Sequence, residues 1–215
     1  MSIFLNSLFA SVALGHLMVD VFNSSRPILL TFLGLSETEI ALISTIYIWA
    51  SALSQPFFGW LSDRIGPRWL ASGGVLWMTV FYSLAVFLPG NTGLICLIVA
   101  ALGSAAFHPV GTVQATLQGR DILKGREATA ASLFFMSGQI GHFIGPVVTG
   151  LILAKMGAPG LVSLSVISIP IGLALARQLS ANKPHPHPTT TATAEQVHWS
   201  LWAILALVVV ATLQS

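Results

Sequence analysis

Six stretches of this 215-residue chain are each long and apolar enough to cross a lipid bilayer, and this constrains the fold more than any other feature. A helix needs roughly 20 apolar residues to traverse about 30 Å of hydrocarbon. The stretches cover residues 3–33 (with polar residues inside), 40–61, 69–88, 94–114, 130–154 and 161–179. Strands of a membrane barrel would be short and would alternate strictly, so the segments read as helices. Composition agrees with this. Only 7% of residues are charged, against about 25% in a soluble domain. Nine basic and seven acidic side chains cannot clothe a water-facing surface, which excludes a cytosolic enzyme, a nucleic-acid-binding module and a disordered chain. The expectation is an all-α, polytopic membrane protein. Cys96 is the only cysteine and cannot form an internal disulfide.

The connectors fit this organisation. Pro89-Gly90-Asn91 predicts a tight turn. Ser36-Glu37-Thr38-Glu39 predicts a capping box, with the Ser36 hydroxyl and the Glu39 carboxylate satisfying free amides. Glu127 stands where a negative charge suits the start of the fifth helix. The first stretch lacks a positive n-region and outruns a signal-peptide core, so it is expected to persist as a mature helix. Arg64, Arg68, Arg120, Lys124, Arg126, Arg177 and Lys183 fall on one side, and only Arg26 and Lys155 on the other. That asymmetry places the N-terminus in the cytoplasm of a multi-pass plasma (inner) membrane protein. Residues 1–179 are then a six-helix bundle. Residues 180–198, with Lys183-Pro184-His185-Pro186-His187-Pro188 and a threonine run, read as a cytoplasmic linker. The alternating His185 and His187 fit a solvated linker better than a metal site. Residues 199–215 read as the start of a truncated seventh helix.

Ionisable groups inside a span cost about 2.5–3.5 kcal/mol each on insertion scales, and each is a functional candidate. The first span holds His16, Asp20, Asn23 and Arg26. At 100° per residue the first three fall within about 60° of one another. One polar stripe on an apolar helix faces protein or water. A structural polar network and a proton or substrate site both fit His16, whereas function is favoured for Asp20. Arg26 fits a snorkelling residue as well as a ligand. Span 4 carries His108 beside Pro109, which removes one helical hydrogen bond. Span 5 carries Gln139 and His142 among Gly138, Gly141, Gly145, Pro146, Thr149 and Gly150. The glycines suit close helix packing. The small-residue face has no obvious partner within the chain, and the histidines lie on separate helices with no common partner. Pro56 follows Glu37 by nineteen residues, as Pro146 follows Glu127, a hint that spans 1–3 and 4–6 are inverted repeats.

The loop after span 2 reads Gly59-Trp60-Leu61-Ser62-Asp63-Arg64-Ile65-Gly66-Pro67-Arg68. It closely resembles the cytoplasmic signature of the major facilitator superfamily and stands where that signature belongs. Gly66 permits a tight turn, and Asp63 is expected as an edge-buried anion seeking an arginine or a helix N-terminus. The resemblance implies that Gly59, Asp63, Arg64, Gly66 and Arg68 form a gating loop that latches onto a second half. Gly141, Gly145, Pro146 and Gly150 resemble the glycine-proline element of helix 5 in proton-coupled exporters, with Thr149 departing from the pattern. Helix 4 of drug–proton antiporters carries an arginine where Val99 stands here, which directs the coupling expectation to Asp20.

At finer grain His16-x-x-x-Asp20, Gln55-Pro56 and Phe107-His108-Pro109 resemble the fosmidomycin resistance protein group. The resemblance implies the six-helix N-terminal half of a twelve-helix transporter, with the C-terminal half missing. The function it implies is secondary active transport by alternating access: proton-coupled efflux of a small organic molecule or drug. The partners it implies are that substrate, protons, the lipid bilayer and the second half, with no nucleic acid. The competing expectation is a non-transporting membrane fragment or an interaction partner of a second half. An intramembrane enzyme is disfavoured: no His-Glu-x-x-His, no paired aspartates and no Gly-x-Ser-x-Gly occur. No catalytic residue, metal ligand set or cofactor is therefore expected.

Overall fold

The computed structural model describes residues 3–181, and the long elements among them are all α-helices. They are α1 (Ser7–Phe32), α2 (Glu37–Ile65), α3 (Pro67–Phe87), α4 (Gly90–Ile122), α5 (Glu127–Met156) and α6 (Ser163–Ala181), with 3-10 turns at Ile3–Leu5 and Ala158–Val162. Six segments are long and apolar enough to cross a membrane, the last being α6 with the turn before it. Helix α6 keeps Ser180 and Ala181, the first two residues of the expected linker. The rest of that linker, His185 and His187 within it, and the expected seventh helix lie outside the described residues.

The helices overrun their apolar stretches because capping, not hydropathy, decides where a helix ends. Helix α2 starts at Glu37, where the Glu39 amide donates to the Ser36 hydroxyl (3.4 Å) and the Ser36 amide to the Glu39 carboxylate (2.8 Å). Helix α4 continues past Gln114, because nothing breaks it before Lys124 and Gly125, both at positive φ. Pro109 sits inside this continuous helix. Gly66, at φ +93°, turns α2 straight into α3, whose first residue is Pro67.

Like α4, helix α1 is central: fifteen residues of each are buried, against only Ile43 and Tyr47 on α2. It packs chiefly on α5, while α4 packs on α3 and α2. The α1–α5 seam is made by glycine. A Cβ at Gly141 would strike the Leu17 carbonyl, one at Gly145 the Ser24 hydroxyl, and one at Gly138 would lie 2.5 Å from a carboxylate oxygen of Asp20. The small-residue face of α5 therefore has its partner within the chain, contrary to expectation. Small residues let two backbones approach until side chains of one reach main-chain atoms of the other. Ser24 bridges this seam to the Gly141 carbonyl at 3.4 Å, and Ser25 meets the Thr149 hydroxyl at 2.5 Å. Gly150, grouped with the packing glycines on sequence, faces open space: a Cβ there would meet nothing within 4 Å, so Gly150 takes no part in the seam.

The repeat hinted at by Pro56 and Pro146 extends through the helices. With an offset of 90 residues, Glu37 opens α2 as Glu127 opens α5. The same offset aligns the exposed Ile46, Leu53 and Phe57 with the exposed Met136, Phe143 and Val147. Helix α1 packs on α5 as α4 packs on α2, the exchange an inverted repeat requires.

The seam makes a stability prediction. Gly141→Leu inserts a branched side chain against the α1 main chain and is expected to cost at least about 2 kcal/mol. Gly150→Ala, helical and unobstructed, is expected to be neutral or to stabilise by up to about 1 kcal/mol. Thermal melting of the two variants in detergent, followed by size-exclusion chromatography, checks the difference.

Candidate functional site

The polar stripe of α1 lies where α1, α2, α4 and α5 meet. Asp20 is 3% exposed and His16 likewise 3%. The stripe arises because residues four apart share a helix face, so the His16 Nε2 reaches the Asp20 Oδ2 at 3.2 Å. Helix α4 contributes His108, whose Nε2 lies 3.5 Å from the Asp20 Oδ1. Helix α5 contributes His142, whose Nε2 is also 3.5 Å from that oxygen. Three histidines thus converge on one carboxylate. The expectation that they lack a common partner is corrected: helices distant in sequence are drawn together by the glycine seam, which no spacing within one helix reports.

Each side chain is held from behind. The Nδ1 of His16 donates to the Phe134 carbonyl at 2.8 Å, and its ring stacks on the Phe134 ring at 4.0 Å. The Nδ1 of His108 donates to the Ser104 carbonyl at 2.8 Å. A carbonyl can only accept, so both Nδ1 atoms carry a proton. Both Nε2 atoms are left facing a carboxylate, which also only accepts. The contacts are attractive only when a cation is shared between imidazole and carboxylate. The fourth partner of Asp20 is Asn23, which donates to Oδ1 at 2.9 Å and to the Ser104 hydroxyl at 3.2 Å. Tyr47 donates to the Asn23 carbonyl oxygen at 2.8 Å and fixes the amide's orientation.

The remaining sequence candidates separate from this cluster. Arg26 donates from Nε to the Ser44 hydroxyl at 3.3 Å, and its guanidinium lies 4.3 Å over the Tyr47 ring. It is joined to the site through Tyr47 and Asn23, not by contact with Asp20. Gln139 is exposed and outside the cluster, since its neighbour Gly138 is the residue that faces α1. Asp63 is exposed at the end of α2 and meets neither an arginine nor a helix N-terminus among the described residues, so the expected edge burial is corrected. Arg64 instead stacks on Trp60 at 3.9 Å, and Arg68 on Trp69 at 5.1 Å. Gly59 lies at the α2–α4 contact, with Pro109 its nearest neighbour.

Tyr47, Ser104, Phe134 and Ser44 were not read from the sequence as site residues. The one signal for Tyr47 was an aromatic with a polar tip inside an apolar span. A backbone acceptor such as the Phe134 carbonyl leaves no signal at all.

A sequence profile of the Major Facilitator Superfamily matches residues 8–214. The chain belongs to the major facilitator superfamily. It is 27% identical over 179 residues to the fosmidomycin resistance protein of Escherichia coli (strain K12), covering 80% of this chain and 43% of that protein. It is 30% identical over 156 residues to the uncharacterized MFS-type transporter YfnC of Bacillus subtilis (strain 168), covering 70% and 37%. It is 27% identical over 168 residues to MdtD of Salmonella heidelberg (strain SL476), a protein named for multidrug resistance, covering 75% and 34%. The chain spans less than half the length of these curated relatives. Family and helices together make it a multi-pass membrane protein built on one six-helix half of the superfamily fold.

The burial contrast across the site makes a second prediction. His16→Ala removes a stacked, enclosed ring and is expected to cost roughly 2–4 kcal/mol. His142→Ala removes a ring whose side chain is 44% exposed, and is expected to cost under about 1 kcal/mol. Melting temperatures of the purified variants in matched lipid check the contrast.

Proposed function

We propose that the chain provides the N-terminal bundle of a secondary transporter that exports a small organic molecule by alternating access, with protons exchanged at Asp20. The observation that carries this reading is the enclosed Asp20 carboxylate ringed by imidazoles from α1, α4 and α5. An ionisable cluster at such a place is costly and marks an ion or substrate pathway. No bond-breaking chemistry is needed for this role, and no catalytic residue is assigned. The relatives named for fosmidomycin and multidrug resistance support efflux of a small organic molecule.

The same reading assigns a second six-helix bundle as the partner. It would face the apolar stripes that α2 and α5 leave exposed, around Leu53 and Phe143. The α2–α3 corner from Asp63 to Arg68, with Asp63 free of the first bundle, would latch onto that half.

In a full transporter carrying this bundle, reconstituted in liposomes with fosmidomycin as the first probe, Asp20→Asn should cut pH-gradient-driven accumulation at least ten-fold. Downhill exchange should persist, because the amide is close in shape and neutral. Full proton-driven transport by Asp20→Asn would overturn the assignment. Orientation in the plasma membrane is tested separately, in a Cys96→Ser background. Cysteines at positions 62 and 124 should react only with a reagent admitted to the cytoplasm, and one at position 91 only from outside. The reverse pattern would invert the topology.

A further inference from the structure

The donor atoms around Asp20 form a set that a metal ion can use. The ligating atoms of His16, Asp20 and His108 lie within 4.8 Å of one another. Tetrahedral coordination with bonds near 2.1 Å places ligand atoms about 3.4 Å apart. The two histidine–carboxylate separations, 3.2 Å to Oδ2 and 3.5 Å to Oδ1, are each close to that edge, so the carboxylate meets one imidazole with each oxygen. His142 adds a third imidazole nitrogen 3.5 Å from the same carboxylate. The tautomers suit coordination as well. With Nδ1–H committed to a backbone carbonyl, His16 and His108 each present the Nε2 lone pair, and the carbonyl behind each ring fixes its direction. Asn23 holds the carboxylate in turn, and Tyr47 holds Asn23.

We propose that His16, Asp20 and His108, with His142 as a fourth donor, bind a divalent transition-metal cation of the Zn2+, Co2+ or Ni2+ class. Two or three imidazoles and one carboxylate suit borderline ions and not Mg2+ or Ca2+, which take oxygen shells. The charge count makes the ion exchangeable. One carboxylate against a divalent cation leaves the site net positive, with the Arg26 guanidinium two turns along the same helix. The open edge is on the α4 and α5 side, where the His108 and His142 side chains are 23% and 44% exposed. This inference rests on the same cluster as the transport reading and concerns what the cluster takes up.

The test is equilibrium binding to the full 215-residue chain, purified without a histidine tag and placed in lipid nanodiscs. His185→Ala, His187→Ala and His198→Ala are introduced first, so that imidazoles of the tail do not contribute. Zn2+ titration calorimetry and elemental analysis after desalting should give one ion per chain. Bound Co2+ should show the visible bands of a nitrogen–oxygen site. Asp20→Asn and His108→Ala should each weaken binding at least ten-fold, and His142→Ala by a smaller factor. Where Asp20→Asn does not elute as a monodisperse species, His108→Ala decides, because its partly exposed ring is the safer truncation. Absence of saturable binding, or binding unchanged in a folded His108→Ala chain, would overturn the proposal. Binding requires no transport and the proton-gradient assay requires no metal, so failure of one reading is distinguishable from failure of the other.

Discussion

A carboxylate enclosed among apolar helices must be surrounded by partners, and the bundle is organised around that requirement at Asp20. Leaving a charge unpaired in such a setting costs far more than any single packing contact returns. Asp20 is accordingly contacted by His16, Asn23, His108 and His142, drawn from three helices. Each of the first three is itself anchored, by Phe134, Tyr47 or Ser104. A polar network inside a membrane protein is worth having only when its members are satisfied, and the second tier here serves that condition.

Bringing α5 close enough to take part depends on Gly138 and Gly141. A Cβ at Gly138 would occupy the space of the Asp20 carboxylate and the His16 ring. The glycine stripe is therefore both the packing device of the α1–α5 seam and the condition for the polar cluster. Lipid tails are as apolar as leucine, so helices in a membrane gain little by hiding hydrophobic surface from one another. Close backbone approach and interhelical hydrogen bonds such as Ser25 to Thr149 carry the association instead.

Much of this was legible in the sequence where the information is local. The span count, the Ser36–Glu39 cap and the common face of His16, Asp20 and Asn23 each follow from residues within a turn or two of each other. The family signature placed Gly66 at a turn, and the structure finds it there with positive φ. What failed was non-local. The meeting of His108 and His142 at Asp20 depends on crossings between helices more than 80 residues apart in the chain. Gln139 looked equivalent to His142 in composition, yet Gln139 is exposed and it is His142 that reaches Asp20. Asp63 was expected to find a partner by its charge, but it is exposed and meets no cation among the described residues.

The site is also asymmetric, and the asymmetry bears on how it could work. The Asp20 Oδ2 faces His16, whose side chain is 4% exposed and clamped against Phe134. The Oδ1 accepts from Asn23 and faces His108 and His142, the two rings with open edges. One oxygen is thus held by a fixed imidazole while the other meets the side from which an ion or a substrate can arrive. Because α1 and α5 touch through main-chain atoms, prying them apart would break the packing along the whole seam. On the proposed alternating-access reading, exposure of the site to alternate sides is then more economically achieved by movement of the six helices as one body. The Oδ1 edge would be covered and uncovered by whatever packs against α4 and α5, while the His16–Asp20–Asn23 arrangement stays unchanged through the cycle.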